Sequence, residues 1–141
     1  MSEEFVAFRS KDDRKLNNQL EDLAYRVIGA AIEVHNELGI GLPEIAYRRA
    51  LSHELTLRNI VHQSECAVPI LYKGLAVAEG RVDILVENVL VIEIKVVEKL
   101  SVVHRAQVIA YLCALNLELG LLLNFNHETM REGTKRVIRT Q

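Results

Sequence analysis

Three charged residues stand where an apolar core is expected. Asp83 lies in the run Val82 to Val86, and Glu93 and Lys95 lie in the run Val89 to Val97; the remainder of both runs is mostly β-branched or aliphatic. Runs of this kind and length read as strands, and strands apolar on both faces are usually covered on both. Side chains alternate along a strand, so Glu93 and Lys95 share a face. A turn centred on Asn88, with Glu87 to Val89 as its loop, sets Asp83 opposite Glu93. Two carboxylates facing each other across a ladder are only ~5 Å apart at Cβ and repel. A positive group belongs between them, either the Lys95 ammonium or a metal ion. With a metal, the set is a minimal kit for phosphodiester hydrolysis. Mg²⁺ takes oxygen ligands and keeps several waters, so one or two carboxylates plus a substrate phosphate suffice, and the ion lowers the pKa of bound water. Lys95, ~6.6 Å along the strand from Glu93, could steer that water or offset transition-state charge. The carbonyl of Ile94, between them, could be a further ligand. Without a metal, the set is a buried ion network, and a lone Glu-x-Lys in a strand is usually an ordinary ion pair.

The neighbouring elements supply company for these charges. Gln19 to Leu38 reads as a helix, with Leu20, Ala24, Val27, Ile28, Ala31 and Leu38 at helical spacing. Gly29 among alanines suggests close packing there. His35 shares that face, either as a half-buried histidine bonded to backbone or as a polar group facing the cleft. Gly39-Ile40-Gly41 suits a C-terminal cap, and Pro43 starts a second helix running to about Arg58. Glu44 sits in its first turn, where an acid is ordinarily a dipole partner, and Glu44, Tyr47, Arg48 and Leu51 line one side. His62 to Tyr72 reads as a strand, on an edge or bulged because Pro69 cannot donate to a ladder. Lys73-Gly74 turns the chain, and Leu75 to Val86 returns with a bulge expected near Glu79-Gly80. A third helix spans about Val102 to Asn116 with Ser101 as N-cap. His104, Gln107 and Tyr111 share one side of it, flanked by an apolar stripe of Val103, Ala106, Ala110 and Cys113. Leu119 to Phe125 is an aliphatic strand, Asn124, Asn126 and His127 open a loop, and Thr134 to Thr140 is a last edge strand with basic side chains outward. The helix between the third and fourth strands makes those two parallel. The fold class is α/β, a mixed sheet flanked by helices.

The set resembles the PD-(D/E)xK nuclease superfamily. Gly41-Leu42-Pro43-Glu44-Ile45-Ala46-Tyr47 matches in full the motif that names its GxxExxY family. The flanks Ile28 to His35, Val97 to Leu100 and Leu121 to Phe125 are also similar, and the resemblance covers roughly Leu23 to Ile138. Asp83 and Glu93-Ile94-Lys95 fall on the superfamily's metal and lysine positions, with Val82 where its name has proline. Gln107 to Tyr111 resembles the QxxxY motif of its exonuclease-like branch. The resemblance implies a restriction-endonuclease-like αβββαβ core, a requirement for Mg²⁺ or Mn²⁺, and hydrolysis of nucleic acid. On this reading Asp83, Glu93, Ile94 and Glu44 are the metal ligands, Lys95 joins the acids in catalysis, and Gln107, Tyr111, His35 and Tyr47 meet the substrate.

Composition sets the outer limits. At 141 residues, half of them hydrophobic, one domain over residues 19–141 is expected, behind a polar tail over residues 1–18 in which Phe5, Val6 and Phe8 could dock. A net charge of −2 argues against a broad basic surface for long-range capture of nucleic acid, though not against a local basic cleft. No apolar run reaches transmembrane length, and Cys66 and Cys113 stand apart without zinc-type spacing, so a reduced cytoplasmic setting and no membrane partner are expected. The leading reading is a metal-dependent nuclease with DNA as the favoured partner. The alternative is a catalytically weak or inactive nucleic-acid-binding or regulatory module on the same fold. A third reading is an assembly protein, its edge strands pairing in a homodimer and its charged triad a buried ion network.

Overall fold

Two hairpin turns and one helical crossover set the topology. The computed structural model describes residues 17–139. Its elements are α1 (Asn18–Leu38), α2 (Glu44–Leu57), β1 (His62–Tyr72), β2 (Leu75–Val86), β3 (Leu90–Lys95), α3 (Val102–Leu115), β4 (Leu119–Asn124), α4 (Met130–Gly133) and β5 (Thr134–Ile138). At the β2–β3 turn, Glu87 and Asn88 take φ of 48° and 59°, and the Val89 N–H bonds the Val86 carbonyl at 3.0 Å. The strands leave this turn with Ile84 opposite Ile92, the register that carries Asp83 to Glu93. The five strands form one sheet in sequence order. Only β3 and β4 are parallel, as a crossover through α3 requires. This mixed α/β sheet contains the expected αβββαβ order.

The central strands are apolar on both faces because both are covered. Ile84, Val86, Leu90, Ile92, Ile94, Leu119, Leu121 and Leu123 pack with the buried faces of α1 and α2. Leu85, Val91, Leu122 and Val137 pack with Val108, Tyr111 and Leu112 of α3. β1 and β5 are the edges, so Pro69, opposite Glu79, lies on an edge strand as its missing donor demands. Among the described residues, no helix is long and apolar enough to cross a membrane.

Several expectations are corrected. α1 begins at Asn18, capped by the Asn17 side chain on the Leu20 N–H at 2.7 Å, so the start of the helix claims the last residues assigned to the tail. Phe5, Val6 and Phe8 lie outside the described residues, as does Thr140. Pro43 is the N-cap of α2 with extended backbone, and Glu44 is the first helical residue. The stripe Val103, Ala106, Ala110, Cys113 faces solvent, with Val103 74% exposed. α3 is apolar nearly all round, so periodicity could not tell its buried face. Arg136 does not point freely outward: its guanidinium grips Glu21 of α1 through two bonds of 2.8 Å.

Candidate active site

The β2–β3 ladder opens where the acids begin. Its paired register runs from Val86–Leu90 to Ile84–Ile92, and the next residues in line are Asp83 and Glu93. Here side chains replace backbone pairing. The Asp83 N–H donates to Glu93 Oε2 at 2.9 Å, and the Ile94 N–H donates to Asp83 Oδ2 at 2.8 Å. Each carboxyl group is thus anchored by the main chain of the opposite strand, which fixes its orientation. The β1–β2 ladder skips the same place. Ser64–Ile84 and Cys66–Val82 pair on either side, while Glu65, the residue that would face Asp83, has φ of 52°.

Burial makes these acids unusual. Glu93 is 3% exposed; desolvation, and then the charge of Asp83, push its pKa from the ordinary 4.5 to about 8. Desolvation also raises Asp83, against the pull of the Ile94 amide, Lys95 and Arg48. Two adjacent carboxyls whose ionisation is opposed in this way gain from any cation that enters between them. Among the described residues, no three Asp, Glu, His or Cys side chains gather into a ready-made metal cage. The acids form a pair, which matches the few protein ligands that Mg²⁺ takes.

Lys95 stands beside them on the α3 face. Its Nζ donates to Gln107 Oε1 at 3.3 Å, and Gln107 Nε2 donates to the Tyr111 hydroxyl at 3.3 Å. Gln107 and Tyr111 are one turn apart on a helix whose start is fixed by a capping box between Ser101 and His104. Spacing puts His104, Gln107 and Tyr111 on one side of α3; His104 serves the cap, and the structure joins Gln107 and Tyr111 to Lys95 in a chain of hydrogen bonds.

Glu44 arrives from α2. The loop before it needs Gly41, whose φ of 104° suits only glycine. The Tyr47 hydroxyl then pins that loop, donating to the Gly39 carbonyl at 2.7 Å and accepting from the Leu42 N–H at 3.2 Å. The Tyr47 ring is wholly buried and stacks on Phe125 at 4.5 Å between centroids. Glu44 itself remains exposed. Its pKa is raised by desolvation and by the charge of Asp83, and lowered by Lys95 and Arg48, which marks it as part of the same electrostatic cluster. Tyr47 and His35, expected at the substrate, are placed in the packing instead. Tyr47 has no surface to offer, and His35 is buried with its Nε2 at 2.8 Å from the His127 carbonyl.

Gly80 has a role the sequence reading missed. The expected bulge near Glu79-Gly80 falls just before that pair, at Val77, where the register shifts between Ile70 and Leu71. Gly80 pairs regularly with Val68, and a Cβ there would stand 2.5 Å from Tyr111 Cε1. The glycine lets the tyrosine ring lie against β2. Gly80→Ala is expected to cost about 1–3 kcal/mol of stability through overpacking, and to loosen the Tyr111–Gln107–Lys95 chain. Urea denaturation checks this: unchanged stability would mean that the ring moves aside freely.

The family model of the PD-(D/E)XK nuclease superfamily matches residues 21–137. The chain belongs to this superfamily. No curated protein and no solved structure matches it. The part of this PD-(D/E)XK chain that matches runs from the first turn of α1 into β5, so every element of the acidic cluster lies inside it.

Two arginines of the PD-(D/E)XK chain also stand near the cluster. Arg48 lies one turn after Glu44 and contacts Glu65 at 2.9 Å; Arg81 contacts the other Glu65 oxygen at 3.0 Å. The spacing of Arg48 from Glu44 was the available signal for the first of them. Nothing local announced Glu65, whose position depends on a left-handed backbone in the middle of a strand.

Proposed function

We propose that the protein is a divalent-metal-dependent nuclease of the GxxExxY type and that its substrate is DNA. The observation that carries this reading is the opened ladder, with Asp83 and Glu93 fixed side by side and Lys95 next to them, in a chain of the PD-(D/E)XK nuclease superfamily. The donor set suits Mg²⁺ or Mn²⁺, being hard carboxylate oxygens in a place where negative charge is poorly compensated. Asp83 and Glu93 would hold the ion. The N–H and C=O of one strand residue point the same way, and the Ile94 amide already reaches Asp83, so its carbonyl is a further donor on that side. Glu44, exposed and electrostatically coupled to Asp83, would act through water. When bound, the cation supplies Lewis acidity for the phosphate and for the attacking water.

The chain's own residues do the remaining work. The Lys95 ammonium orients the water or offsets charge developing on the phosphate oxygens. Gln107 keeps that ammonium directed, and Tyr111 keeps Gln107 directed. Purified protein with Mg²⁺ or Mn²⁺ is expected to cut linear single- or double-stranded DNA, to stop in chelator, and to stop as Asp83→Ala. Equal cutting by wild type and variant would place the activity elsewhere. Parallel assays on RNA of the same sequence decide the polymer.

A further inference from the structure

We infer that Arg48 and Arg81, held together by Glu65, bind the backbone phosphate next to the one being cleaved. The inference rests on the nuclease reading above and extends it to how the substrate strand is held. The two arginines come from different elements, α2 and β2. Arg81 is two residues before Asp83 on β2, and Glu65, which it contacts, is the β1 residue that would face Asp83. Arg48 is four residues after Glu44 on α2, on the same side of the helix, and it acts electrostatically on both Glu44 and Asp83.

Glu65 explains why the pair converges. It occupies a left-handed φ of 52° at the one position of β1 opposite Asp83, a conformation unfavourable for a non-glycine residue. Strained backbone persists where surrounding interactions over-determine it, and it concentrates at functional sites. Here the compensation is two ion pairs, Arg48 Nη1 to Oε2 at 2.9 Å and Arg81 Nη1 to Oε1 at 3.0 Å. One carboxylate thus sets two guanidiniums side by side. A guanidinium has five N–H donors, and Glu65 meets each arginine through its Nη1. The other donors of the two forks suit a phosphodiester, the group that planar guanidiniums match best. The triad carries one net positive charge beside an acidic cluster, in a protein of net charge −2. A backbone phosphate entering the site would find its local counter-charge there.

Arg81 is 64% exposed along its side chain and Arg48 16%, so Arg81→Ala should fold normally and Arg48→Gln tests the more enclosed partner. The experiment is binding of a fluorescent single-stranded DNA 20-mer, read by anisotropy over a range of salt, with Ca²⁺ replacing Mg²⁺ so that cleavage does not intervene. Each variant is expected to weaken binding by roughly tenfold and to make the dependence of log Kd on log salt shallower by about one phosphate contact. Wild-type Kd and wild-type salt slope in Arg81→Ala would overturn the inference, whatever the outcome for Arg48→Gln. The two readings fail separately. If wild type neither binds nor cuts DNA, the nuclease reading falls and takes this one with it; if wild type does both and Arg81→Ala binds equally well, only the arginine clamp falls.

Discussion

Lys95→Ala is expected to cut DNA ~10²–10³ times more slowly than wild type at saturating Mg²⁺, the usual loss when one pre-organised charge-stabilising donor is removed. The fold should survive the change. Lys95 is only partly buried, its Nζ bonds Gln107, and Gln107 keeps its bond to Tyr111. The loss should appear as a lower plateau in a titration of rate against Mg²⁺, with the half-saturating concentration little changed, because an ammonium is not a ligand. Asp83→Ala should behave differently, moving the titration to much higher Mg²⁺ as well as lowering the plateau. A Lys95→Ala enzyme whose rate returns on adding more Mg²⁺ would show that Lys95 serves only to balance the acids.

That contrast depends on a detail no pattern in the sequence displayed. Alternation along β3 placed Glu93 and Lys95 on one face, and the turn at Asn88 placed Asp83 across from Glu93; both are consequences of a period of two and a short loop. The strands β1 and β2 were legible to the residue because β-branched runs meet a Lys-Gly turn. What could not be read is that the ladder stops pairing at this point and that each acid takes an amide from the other strand. Strand parting is a tertiary outcome. On the far side Glu65 leaves the β1 ladder at the same level, with a φ of 52°.

The helices show the same division. Glu44, Gln107 and Tyr111 were found by spacing, because a helix puts residues three or four apart on one side. Tyr47 was misjudged for a related reason: it shares that side with Glu44, but one turn further along the side is already inside the core. Its service to the site is indirect, since its hydroxyl fixes the loop from which Glu44 projects. α3 is apolar at most of its positions, so spacing does not distinguish its exposed stripe from the buried Val108, Tyr111 and Leu112. The single turn α4 was missed because four residues carry no periodicity. Motif residues therefore divide into those that face the cluster and those that hold its frame, and only burial separates the two.

Glu93→Gln is expected to stabilise the chelated protein at pH 8 by a few kcal/mol, of the order that a pKa shift of this size implies. The sign follows from the direction of the shift. In the folded state the Glu93 carboxyl keeps its proton up to about pH 8, while an ordinary glutamate releases it near 4.5. Below the lower value both states are protonated and burial of the neutral acid carries no charge penalty. Between the two values the unfolded chain gains by ionising and the folded one does not, so stability falls as pH rises through that window and levels off above it. Asp83, raised in the same direction, adds to the slope. Glutamine keeps an oxygen to accept the Asp83 N–H and removes the titrating group, so the variant's melting temperature in EDTA should be flatter from pH 5 to 8 and higher by roughly 10 °C at the upper end. Added Mg²⁺ at pH 8 should then raise the melting temperature of wild type far more than that of Glu93→Gln, because the ion stabilises what burial destabilises. A wild-type melting temperature independent of pH in EDTA would mean that Glu93 is ionised throughout, and the electrostatic case for a cation between the two acids would fail with it.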